Sequence, residues 1–119
     1  MNMTVEVIDD VAVLTPNGSF VTSKTEALQS QVNALMARDF NYMLLDMSEI
    51  NFMDSSGLIF IMSLNRLFHG KGGMLACVAV KEPVLKVFRV TWADHRILVS
   101  KDREEALTLM KKHRGTARI

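Results

Sequence analysis

The strongest constraint on the fold of this chain is a junction. An apolar run, Tyr42-Met43-Leu44-Leu45-Asp46-Met47, is followed within a few residues by Met53-Asp54-Ser55-Ser56-Gly57, and then by the strongly apolar residues 58–68. The first run lacks strict alternation and reads as a buried strand. The second reads as a helix from about residue 56 to 68, stopped at Gly70. Two adjacent serines therefore fall at a strand-to-helix corner, where the first helical N–H groups have no intrahelical acceptors. A hydroxyl there can cap the helix, or it can carry a phosphate that the helix end tolerates.

The rest of the chain alternates in the same way. Residues 5–8 and 11–14 read as two short strands around Asp9-Asp10, and Pro16-Asn17-Gly18-Ser19 is turn chemistry. Ser23 and Glu26 have capping-box spacing, ahead of a helix that lines up Leu28, Val32, Leu35 and Met36. After Gly72-Gly73 comes an apolar strand over residues 74–80, and Pro83 suits the first turn of a helix carrying Val84, Val87 and Phe88. Residues 97–99 read as a last short strand. Asp102 with Glu105 can cap a final helix bearing Ala106, Leu107 and Met110. Strands alternating with helices imply crossover units. The expected class is α/β, a central mixed sheet of about five strands with about four helices packed mainly on one face. Residues 1–112 are expected to form a single domain, and the basic residues 113–119 a frayed tail.

Composition narrows the function. The 119 residues are 49% hydrophobic and 23% charged, with a formal net charge of +1, which argues against a strongly basic nucleic-acid binder. Cys77 is the one cysteine; it lies in an apolar run and fits a reducing compartment. The first residues have neither the basic nor the apolar segment of a signal peptide, and no stretch approaches the roughly 18 apolar residues of a membrane span. A cytoplasmic location without membrane insertion is expected.

Catalytic patterns are missing. Met53 and Asp54 stand where a nucleophile elbow would need Gly-x before its serine. His69, His95 and His113 are scattered, with no base-plus-orienter pattern and no metal-ligand spacing, and His69 and His95 read as surface or boundary residues. Gly70-Lys71-Gly72-Gly73 follows a helix and enters a strand, the reverse of a phosphate loop, and reads as a helix terminator. The nine methionines sit mostly in apolar runs and read as core filling. The expectation is a non-enzyme with no cofactor and no metal.

With those readings set aside, the stretch Leu44-Leu45-Asp46-Met47-Ser48-Glu49-Ile50-Asn51-Phe52-Met53-Asp54-Ser55-Ser56-Gly57-Leu58 resembles the signature of STAS domains, especially the stand-alone bacterial anti-sigma factor antagonists. The order of elements matches throughout, Gly72-Gly73 precedes a strand as in that family, and Glu104-Glu105-Ala106-Leu107 resembles its last-helix motif. The resemblance implies partner switching in the regulation of transcription, as in stress responses. Such an antagonist binds an anti-sigma factor that is itself a serine kinase, and so frees the sigma factor. Phosphorylation on the second serine of the motif, Ser56 here, dissolves the complex, and a PP2C-type serine phosphatase restores it. By the same resemblance Asp54, Ser55, Ser56, Gly57, Leu58, Ile59 and Phe60 are the expected partner-binding residues, on a monomer or weak dimer.

Physical chemistry supports such a switch. A phosphate adds roughly 1.5 to 2 negative charges, and at a helix N-terminus the dipole stabilises it by up to about 2 kcal/mol. The fold should survive, but an interface closing over that dianion beside Asp54 would bury unpaired charge at a cost of several kcal/mol. Ser55 reads as the N-cap or a structural hydroxyl rather than the modified residue. Ile59 and Phe60 are candidates for exposed contacts, with core filling as the equal alternative. Ile59 stands where the family favours a small residue, so the contact surface is expected to be bulkier.

Two departures from the family pattern stand out. The family's Gly-x-Leu-Asp is Gly18-Ser19-Phe20-Val21 here, so Val21 replaces a carboxylate that comes near the modified serine. This points either to a differently tuned partner or to a domain that is never phosphorylated. Thr91-Trp92-Ala93 replaces a Thr-Gly-Leu-like turn, and Trp92 is expected to be half-buried. The alternative function is a constitutive, unphosphorylated STAS subunit of a membrane-transport or signalling complex.

Overall fold

A computed structural model describes residues 3–20 and 22–117. Strands β1 (Met3–Ile8) and β2 (Val11–Pro16) form a hairpin turned at Asp9, whose φ of 55° is one that Asp tolerates. β4 (Tyr42–Asp46), β6 (Met74–Val78) and β7 (Leu98–Ser100) extend the sheet in parallel, giving the order β1-β2-β4-β6-β7. Only β1 runs antiparallel to its neighbour, so the sheet is mixed, as expected. Between strands lie α1 (Thr22–Ala37), α2 (Ser55–Gly70) and α3 (Glu82–Val90), and α4 (Arg103–Ala117) follows β7.

Side-chain alternation splits the sheet into two faces. Ala12, Met43 and Leu75 form one cross-strand row and Leu14, Leu45 and Cys77 the next. Both rows face Leu28, Val32 and Leu35 of α1, Leu58, Ile61, Leu64 and Phe68 of α2, and Val84 and Phe88 of α3 in the larger core. Val13, Leu44 and Ala76 point the other way, into a smaller core with Ala106 and Met110 of α4. Three helices thus share one face and the fourth covers the other. β4 is buried along its whole length because it is covered on both sides.

Several local readings shift. Residues 18–20 and 50–53, left without a strand in the sequence reading, form a second, two-stranded parallel ribbon, β3 (Gly18–Phe20) against β5 (Ile50–Met53). α1 begins at Thr22, so Ser23 lies inside its first turn rather than at its cap. Ala79 at φ 54° ends β6 sooner than the apolar run does. The segment expected to fray continues α4 to Ala117: Tyr42 Oη lies 2.9 Å from His113 Nδ1, and Arg114 pairs with Asp10 at 2.6 Å. Trp92 is 69% exposed rather than half-buried, because a left-handed backbone (φ 63°) turns it outward beside His95. Gly73 has a structural role, since a Cβ there would come within 1.6 Å of the Asn41 carbonyl oxygen.

Candidate functional site

The serine corner is built from three elements. β4 stops at Asp46, whose carboxylate accepts a hydrogen bond from the Ser48 N–H at 3.0 Å and so starts the turn into β5. β5 runs alongside β3, with Phe20 opposite Met53, and delivers the chain to Asp54. Val21 itself lies outside the described residues.

Asp54 is the N-cap of α2. Its backbone is extended, its Oδ1 accepts from the Gly57 N–H at 3.0 Å, and its carbonyl accepts from the Leu58 N–H at 3.2 Å. That corrects the expectation for Ser55: the neighbouring carboxylate already satisfies the N3 donor, which leaves Ser55 exposed at the first helical position. Ser56 follows, half-buried. Among the described residues neither hydroxyl has a hydrogen-bond partner. No acidic residue lies in the first turn of α2, so within the helix and its cap the positive end is met by Asp54.

The other expected contact residues divide by helical phase. Gly57 and Leu58 turn inward and Leu58 joins the larger core, which corrects its reading as a contact side chain. Ile59 is 63% exposed, and Phe60 is half-buried and packs against the core. One apolar residue escaped the sequence reading: Phe52 on β5, 54% exposed, two residues before the cap. Recognising β5 as a strand between buried Ile50 and Met53 was the signal that could have found it.

The histidines lie elsewhere. His69 is exposed near the end of α2, His95 stands against Trp92, and His113 meets Tyr42. Among the described residues no group of three His, Cys, Asp or Glu side chains could hold a metal ion, and no helix is long and apolar enough to cross a membrane. Cys77 is fully buried, and burial pushes its thiol up to about 12, so it is not a nucleophile at neutral pH.

A mixed sheet with three helices on one face, a fourth on the other, and a serine pair opening the second helix just after its Asp54 cap defines a small α/β domain. The profile of the STAS domain matches residues 2–106, and the chain belongs to that family. Its fold is similar to that of a Thermotoga maritima protein described as a candidate anti-sigma factor antagonist, with a TM-score of 0.86 at 23% identity over 92% of this chain and 94% of that one. An anti-sigma factor antagonist from Mycobacterium paratuberculosis is similar at a TM-score of 0.80, with 22% identity over 92% and 93% of the two chains. The antagonist SpoIIAA is similar in its unphosphorylated form (TM-score 0.78, 17% identity, 93% and 97% covered). Its phosphorylated form, described as a Bacillus cell fate determinant, is similar too (TM-score 0.69, 16% identity, 90% and 97% covered). Comparison with curated proteins gives no match.

Proposed function

We propose that this chain is a cytoplasmic anti-sigma factor antagonist that works by partner switching, with Ser56 as the phosphorylated residue. Unmodified, it binds a serine-kinase anti-sigma factor through the first turn and a half of α2; phosphorylation by that kinase releases it, and a PP2C-type phosphatase resets it. The observation that carries the reading is the pair of hydroxyls without partners on a helix end whose cap Asp54 already provides. A phosphate on Ser56 would lie at the positive end of α2 without displacing a structural bond. The similarity to SpoIIAA, described in both phosphorylation states, supports it.

The contact surface is expected to consist of Asp54, Ser55, Ser56, Ile59 and the open side of Phe60, with Phe52 added. Gly57 and Leu58 contribute by holding the turn in shape. Exposed Ile59 supplies apolar area at the centre, where a nearby dianion is most costly.

The test is mass spectrometry of the intact protein and its peptides from native cells, combined with binding to the co-expressed kinase. A condition-dependent phosphate on Ser56, stable binding by Ser56→Ala, and a loss of about a hundredfold for Ser56→Asp are expected. Failure of Ser56→Ala to bind would make Ser56 structural. Absence of phosphate under every growth condition would favour the constitutive subunit, to which Val21 in place of the carboxylate would then belong.

A further inference from the structure

A second charged feature lies near the far end of α2. A cleft of about 210 Å³ is lined by Met62, Asn65, Arg66, His69, Arg96 and Ile97. Two arginines and a histidine are among its lining residues, and no acidic residue is. Arg66 and His69 stand three residues apart on α2 and so share a face. Arg96 comes from a different element, just after the 3-10 turn Ala93–His95.

The tertiary structure holds Arg96 there. Its carbonyl accepts a hydrogen bond from Asn65 Nδ2 at 3.1 Å, and its N–H donates to the Ala93 carbonyl at 2.9 Å. The backbone is pinned to α2 while the side chain stays exposed. Arg89, Arg103 and Arg114 each pair with a carboxylate; among the described residues Arg66 and Arg96 pair with none. Asp94, the carboxylate closest to Arg96 in sequence, is 3.9 Å from His95.

The negative carbonyl end of α2 accounts for basic residues on that helix. It does not account for Arg96, which a different segment brings to the same cleft. A bound oxyanion could be met by side chains from both elements. Guanidinium groups present paired N–H donors that match phosphate oxygens. Half-buried Met62 and buried Ile97 add an apolar floor. The volume is below the roughly 300–1,000 Å³ of ordinary ligand pockets, which favours a small anion over a nucleotide.

We propose that this cleft binds a phosphate or small phosphomonoester group, clamped by Arg66 and Arg96 with His69 as a further donor. The site is separate from the serine corner, since ten residues of α2 between Ser56 and Arg66 span roughly 15 Å. It does not depend on the switching function.

The experiment is an amide NMR titration of the full chain with inorganic phosphate at constant ionic strength, repeated with glycerol 3-phosphate. Saturable shifts are expected at residues 62–69 and 95–97, with chloride producing none. Arg66→Gln and Arg96→Gln should each weaken binding about tenfold, the size of one lost charge-assisted hydrogen bond. Both arginines are exposed, so the variants should keep the native amide spectrum, which the same data verify. Tighter binding of glycerol 3-phosphate would identify a phosphomonoester as the ligand class, and tighter binding of phosphate the free anion. Non-saturating shifts, shifts confined to residues 54–58, or binding unchanged in the double variant would overturn the proposal.

Discussion

α2 and α4 are almost equal in length, 16 and 15 residues, and cover opposite faces of one sheet, yet different forces hold them. α2 buries Gly57, Leu58, Ile61, Leu64 and Phe68 in the larger core. α4 places Ala106 and Met110 in the smaller core, with Leu107 packed beside them. Its ends are fastened by polar contacts instead. Arg103 donates to Asp46 at 2.9 Å and Thr15 at 3.1 Å and lies 3.4 Å from Glu6, while Arg114 pairs with Asp10 and stands 4.6 Å over the Tyr42 ring. Apolar burial along its length secures α2 and makes no demand on its first-turn hydroxyls, which stay available. A helix with a narrow apolar stripe needs directional bonds at its ends, and those respond to salt and pH.

Phe68→Ala tests the apolar side of this comparison and should have the largest effect. Emptying a fully buried aromatic site should cost about 3–5 kcal/mol, read as a fall in the urea midpoint. The loss should be the same in low and high salt; a strongly salt-dependent loss would mean that α2 too is held by charge.

Arg103→Met tests the other helix, with an expected cost of about 1–3 kcal/mol at neutral pH. This effect should vary with acidity. Burial alone would raise the Asp46 carboxyl, but its hydrogen bonds with Ser48 and Arg103, and the charge of Arg103, outweigh burial and hold it below its ordinary range. A carboxyl depressed in the folded state stabilises fully above its unfolded value of about 3.9, and that contribution disappears as pH falls through the folded value. The gap between wild type and Arg103→Met should therefore narrow only below about pH 4. An equal gap at pH 3 and pH 7 would remove Asp46 as the anchor of α4.

At the serine corner the effects are smaller. Asp54→Ala removes the acceptor of the Gly57 N–H and should cost about 1 kcal/mol in thermal or chemical unfolding. Ser56→Asp should change stability by less than about 0.5 kcal/mol while abolishing tight partner binding. A large drop in Tm for this variant would show that the Ser56 side chain is packed rather than available.

Most of this was legible along the chain where the signal is local. The run at 42–47, the breaker at Gly70, Pro83 in the first turn of α3 and the Asp102 cap, which accepts from the Glu105 N–H at 2.9 Å, each depend on near neighbours in sequence. β3 and β5 were not legible. Three and four residues carry too little periodicity, and each exists as a strand only because the other pairs with it. Trp92 misled for a related reason: a large aromatic is usually covered, but the left-handed turn that exposes it is set by the packing around Ala93 and Ile97.

The family, the α/β class and the place of Asp54-Ser55-Ser56-Gly57 at a strand-to-helix corner all follow from the amino-acid order. Hydrophobic spacing, caps and breakers act over a few residues and survive without tertiary contacts. That Asp54 rather than a serine caps α2, which of Leu58 and Ile59 faces solvent, and which arginines find carboxylates were decided only in the folded chain. Helical phase is set by the sheet beneath, and ion pairs join residues far apart in sequence, such as Arg103 with Asp46 and Arg114 with Asp10. Those distances exist only once the core has closed.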